Sequence, residues 1–189
     1  MGEKMNRKKD FIRNYWRNYI YLEQRFLATQ NFVSIEKENN DTFSVEYLSL
    51  FILLCNEIDS ISTEFCNLIE KQQKYRNIGQ KVDIIKEDYP NFLNCKVITK
   101  EQFEDYNFVP FAKFTETSAE WWKNYTCVKH YRSQNDEKTE KPNYYKANLK
   151  NVFTALSALY LLSCLYYKKL NGDCSDLEPS SSVFNGYEG

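Results

Sequence analysis

Glycine and proline are scarce: five Gly and four Pro punctuate 189 residues. Tight turns depend on both, so a sandwich or barrel of many short strands is disfavoured and long helices are expected. Histidine is scarcer still, with His130 alone. The six cysteines, Cys55, Cys66, Cys95, Cys127, Cys164 and Cys174, lie far apart and form no CxxC pair, so neither a metal site nor a cofactor is expected. Cys55, Cys66 and Cys164 fall inside apolar runs, where a free thiol acts as a small hydrophobe. This usage predicts a reducing, cytoplasmic compartment. An excess of one charge is also missing, since 25 Lys and Arg offset 26 Asp and Glu; any nucleic-acid contact must come from a local patch. The most apolar stretch, 147–167, is broken by Asn148, Lys150, Asn151 and Thr154, and the charged first ten residues do not lead into a signal-type apolar run. No membrane contact is expected.

What is abundant is aromatic side chains, 16% of the chain, with 15 Tyr and 13 Phe. Most recur at helical spacing and read as core. A first helix over about 8–28 places Phe11, Tyr15, Tyr19, Leu22 and Phe26 on one face. Its other face carries Arg13 and Arg17, either as a solvated surface or as RNA contacts. Residues 31–35 suggest a little strand. A second helix starts near Thr42 or Ser44, both N-cap types, and runs to about Gln73 with a wide apolar stripe. Glu57 and Asp59 interrupt it and read as structural polar groups of the core. Two residues apart they point about 200° from each other, so they form no acid/base pair, and one of them is expected to capture a buried cation or backbone group.

A shorter helix is predicted over 78–88, stopped before Pro90. Residues 91–114 have β-type texture and read as an inserted loop or small edge hairpin. Thr117-Ser-Ala-Glu120 has the pattern of a capping box opening a fourth helix, with Trp121, Tyr125 and Val128 on one side and Lys123, Cys127 and His130 on the other. Residues 133–142 read as a mobile charged loop. The last helix spans about 145–171 and ends at Gly172, a good left-handed cap. The stretch 173–189, rich in Ser and acid, reads as a disordered tail outside a single helical domain over 1–172, dispensable for stability. Residues 45–69 and 147–167 carry the widest apolar faces and are expected to pack antiparallel at the centre of an all-α bundle of four or five helices.

Only one constellation carries chemistry. His130 lies in Trp121-Trp-Lys-Asn-Tyr-Thr-Cys-Val-Lys-His-Tyr-Arg132, with Lys123, Lys129 and Arg132 around it. Cleaving RNA without a metal needs a base for the ribose 2′-OH, an acid for the leaving 5′-oxygen and a cation for the developing charge. His130 suits the base or acid, Lys123 or Arg132 the cation, and Lys129 a phosphate contact.

The order of a core helix, this Trp-rich helix ending in Lys129-His130-x-Arg132, a charged loop and the helix over 147–160 resembles the HEPN (higher eukaryotes and prokaryotes nucleotide-binding) superfamily. The likeness covers about 44–170 in helix order and is specific around 121–132. It implies a small helical protein of prokaryotic defence or toxin–antitoxin systems, commonly a homodimer and often a metal-independent ribonuclease. The family's active pattern is an Arg, an adjacent polar residue and a His after four to six residues. Lys123, Asn124 and His130 stand at those places, with Lys for the usual Arg and hence without its planar bidentate fork. The alternative is a helical protein-binding module, such as an antitoxin-like partner, a phage inhibitor of a defence complex or a scaffold, in which the same residues only make hydrogen bonds and ion pairs. The partner is thus RNA or another protein.

Overall fold

A computed structural model describes residues 2–70, 74–114 and 118–189, with side chains from residue 6. It is 61% helical with a single small sheet, which makes the fold mainly α. The first rod is longer than its periodicity suggests. Helix α1 (Gly2–Phe11) passes through a π turn (Ile12–Trp16), where Arg17 N donates to Ile12 O, into α2 (Arg17–Ala28). The extra residue in that turn lets Phe11, Trp16, Tyr19, Leu22 and Phe26 all bury. Residues 29–31 continue as a short 3₁₀ turn, and the strand expected over 31–35 does not form.

Helix α3 (Val45–Ile69) begins at Ser44, whose side chain accepts from Tyr47 N, as its N-cap type predicts. The helix stops short of the expected Gln73: Glu70 is already extended, with φ −132° and ψ 141°, while 71–73 lie outside the described residues. Helix α4 (Ile78–Asp88) has the predicted bounds, and Asn77 caps it by accepting from Gln80 N. Helix α5 (Glu120–His130) is flanked by Ala119, which offers no side-chain cap; Glu120 is its first residue, so the capping-box register is not used, and Thr117 lies outside the described residues. Helix α6 (Leu149–Asn171) starts at Asn148, which caps Asn151 N, and ends at Gly172 with φ 91°, the left-handed conformation its glycine permits.

The core centres on α3 and α6, but the two run parallel. Their starts meet where Leu149 N donates to Thr42 O at 3.0 Å, and their ends meet where the rings of Phe65 and Tyr166 lie 5.6 Å apart. Breadth of apolar face says that two helices touch and nothing about direction. Direction is set by the long connection between them, which carries α4 and α5 and returns the chain to its starting end. The α1–α2 rod lies antiparallel to α6, with Phe11 against Tyr166 and Phe26 against Phe153. Helix α6 is long and apolar enough to cross a membrane by length and composition, and 78% of its apolar window is buried inside the fold.

Residues 91–114 are not a separate hairpin. Strand β1 (Lys96–Thr99) pairs antiparallel with β2 (Phe184–Glu188), and only Val97 bridges back to Phe108. Phe92, Phe103, Phe108, Phe111 and Phe114 of this stretch are buried in the common core. The expectation of a disordered tail is therefore overturned. Leu177, Val183 and Phe184 are buried, and Trp16 Nε1 donates to Pro179 O at 3.0 Å. Glu23, itself buried, accepts from the Ser181 hydroxyl and from Ser182 N, and also from Tyr19 OH. Three buried apolar residues and a waiting carboxylate outweigh a polar average composition. The loop 133–142 is also folded: Asp136 accepts from Lys138 N and Thr139 N and pairs with Lys146 at 2.7 Å.

Candidate functional site

The predicted amphipathic split of α5 is realised. Trp121, Tyr125 and Val128 are buried and Lys123 and His130 are exposed, as is Lys129, while Cys127, expected on the outer side, is half-buried. Seven residues is close to two turns, so Lys123 and His130 share a face. That face looks onto the N-terminal end of α4 across a groove of about 770 Å³, floored by Asn56 and Tyr125 and walled by Trp122. Arg76, Lys123, Lys129 and His130 all line it.

Each element contributes for a local reason. Tyr125 is anchored by donating to Asn56 Oδ1 at 2.8 Å, and burial raises its phenol pKa. Lys129 Nζ lies 5.5 Å from the centre of the Tyr125 ring, a cation–π contact that keeps the ammonium over the groove floor. Arg76 and Asn77 arrive from the α3–α4 connection, and Ile78 and Gly79, the first residues of α4, line the same space. Free N–H groups and the positive end of the helix dipole favour an anion. The one carboxylate among the described lining residues, Asp59, is ion-paired to Lys81 at 2.7 Å. The groove is thus cationic, open and aromatic on one wall, a combination suited to phosphate with an adjoining base or ribose.

The remaining predicted residues fall elsewhere. Asn124 points away from the groove toward α6, where its amide donates to Asn151 Oδ1 at 3.5 Å; it lines a separate cleft of about 240 Å³. Arg132 folds back so that Nε donates to Val128 O at 3.5 Å, closing the end of α5 and leaving the groove lining. Arg13 is exposed and paired with Asp10 at 2.9 Å, Arg17 is exposed, and neither lines the groove. Glu57 is half-buried and Asp59 exposed, so neither is a core residue. Asp59 does capture a buried cation, because the Lys81 side chain is only 5% exposed and also donates to Asp59 O at 3.0 Å.

Arg76, Asn77, Asn56 and Trp122 are the groove residues that the sequence left unmarked. No local pattern identifies them, because the groove forms only where α3, the α3–α4 connection and α5 converge. Among the described residues, no group of His, Cys, Asp and Glu is arranged to hold a metal ion. Compared with known proteins, the chain matches no family model, no curated protein and no solved structure.

Proposed function

We propose that the protein binds RNA through the α4–α5 groove and cleaves it without a metal, in the manner and the microbial-defence setting that its resemblance to HEPN proteins implies. The observation that carries this reading is that His130, the one imidazole in the chain, shares a groove with Lys123, Lys129 and Arg76. His130 acts as general acid or base on the ribose hydroxyl or the leaving oxygen, and the cations take up charge on the phosphate. Arg76 replaces Arg132 in the role of bidentate phosphate donor, since its side chain lines the groove and that of Arg132 does not. One imidazole leaves the second proton transfer unassigned, which is why the active species is proposed to be a homodimer that brings two His130 residues to one substrate.

The test is cleavage of labelled RNA in EDTA. Wild type should cut, His130→Ala should lose a factor of about 10² or more, and Lys123→Arg should preserve or raise the rate. Exposure of both side chains means that melting curves should hardly move. Folded wild type that neither binds nor cuts any RNA tried overturns the proposal.

A second reading, a helical protein-binding module, draws on a different surface. Phe32 is 89% exposed and Val45 84% exposed, and Phe32 edges an apolar cleft of about 340 Å³ beside α2 and the start of α3. Protein that is inert toward RNA, with normal folding, favours this alternative.

A further inference from the structure

The reversal at Gly172 turns the chain back along the end of α6. It places Cys174 against Cys164, two residues otherwise separated by nearly three helical turns. Both thiols line one cavity of about 540 Å³, with Lys168, Trp16 and Tyr187 around them. Cys164 is buried at 2% exposure, whereas Cys174 is half-buried and open to that cavity. Each thiol shifts the other's pKa, Cys164 upward and Cys174 downward, as two neighbouring sulfurs in one cavity do.

We propose that Cys174 and Cys164 form a peroxide-responsive thiol pair that closes to a disulfide, fastening the turn after α6 to the helix itself. The two sulfurs have different parts. Cys174 is the attacking group: hydrogen bonding from Cys164 lowers its pKa to about 7, Lys168 helps, and burial and Asp173 oppose. A thiolate near ambient pH is the nucleophilic form. Its sulfur attacks one oxygen of a hydroperoxide, the O–O bond breaks, and Cys174 sulfenic acid forms with release of hydroxide, or alkoxide from an organic peroxide. The Cys164 sulfur then attacks the Cys174 sulfur. The S–S bond forms, the S–O bond breaks, and the departing hydroxide takes the Cys164 proton as water. In total two thiols lose two electrons and one hydrogen peroxide becomes two waters.

The link would bear on the docked tail. Asp173 Oδ1 already holds Cys174 N at 2.7 Å, and Asp176 pairs with Lys8 at 2.9 Å. A covalent tie at residue 174 shortens the free chain that leads to Leu177 and β2, and so restricts tail release. Cys95 lies beneath β2, close to Gly189, and is buried. It is the competing thiol that the test must separate.

The experiment treats the full chain with stoichiometric hydrogen peroxide at neutral pH, followed by non-reducing peptide mapping and intact mass. The expected product is about 2 Da lighter, with Cys164 joined to Cys174 and a melting temperature raised by about 4 °C or more. Cys164→Ser should stop at a sulfenic acid on Cys174 that dimedone traps, and Cys174→Ser should form no internal disulfide. Should Cys164→Ser fold poorly, wild-type mapping and the rate of Cys174 alkylation decide alone. Linkage through Cys95, no internal linkage, or alkylation of Cys174 no faster than that of half-buried Cys127 would each overturn the pairing.

Discussion

The ammonium of Lys81, 5% exposed, ends 2.7 Å from Oδ1 of Asp59, a carboxylate whose side chain is 55% exposed. One partner has lost its water and the other has not, so the pair is asymmetric. Removing Asp59 strands a buried charge, whereas removing the Lys81 charge strands nothing. Asp59→Ala should therefore destabilise by about 1–3 kcal/mol, although Asp59 O still accepts from the ammonium. Lys81→Met should be close to neutral or mildly stabilising. Urea unfolding of the two variants measures the difference, and equal losses would contradict the asymmetry.

Phe184 is 2% exposed and sits against Tyr160, with ring centres 4.9 Å apart. Phe184→Ala should cost about 3–5 kcal/mol. Deleting 173–189 should cost more, because Leu177 and Val183 leave with it and Glu23 loses two of its donors. Thermal melts check both, and a truncated protein melting at the wild-type temperature would show that the tail contributes nothing.

Groove cations should be visible in the salt dependence of RNA binding. Arg76→Ala and Lys129→Ala should each weaken affinity across sequences and reduce the slope of log K against log salt by about 0.7–1. Arg132→Ala should leave the slope unchanged, since that side chain closes the helix end. Binding titrations at several ionic strengths discriminate the two sets.

Asp136 organises the 133–142 loop through Lys146 and the N–H groups of Thr139 and Lys138, which hold its carboxyl well below the ordinary value of 3.8. A depressed acid stabilises the folded form above its unfolded value and loses that contribution as pH falls through the folded one. Amide exchange at Thr139 should stay slow at pH 5 relative to the intrinsic rate and lose protection progressively below pH 3.8. Asp136→Ala should be unprotected at both ends of that range.

Periodicity and caps made the helices legible. The bounds of α4, the Ser44 cap, the Gly172 stop and the outward face carrying Lys123 and His130 all follow from neighbours within a few residues. What escaped depends on partners far along the chain. The direction of α6 relative to α3 is fixed by the whole intervening connection. The tail is too polar on average to suggest a dock, yet its strand finds β1 and its serines find Glu23. Arg76 reaches the groove only because α4 packs beside α3, and Arg132 leaves it because the end of α5 offers bare carbonyls two residues earlier than the motif implies.

The π turn over Ile12–Trp16 fixes a phase relation along the N-terminal rod. With Arg17 N reaching back five residues to Ile12 O, the turn holds one residue more than an α-helical ladder accommodates. Excising a single residue from it would close the ladder to ordinary spacing and rotate everything upstream by about 100° about the rod axis. Phe11 would swing off Tyr166 and Tyr167, and Lys8 would be carried away from Asp176. Side chains downstream, from Tyr19 to Phe26, would keep their places. The segment thus behaves as a phase setting between two half-helices: substitutions within it are absorbed locally, while a change of length by one residue is transmitted to the far end.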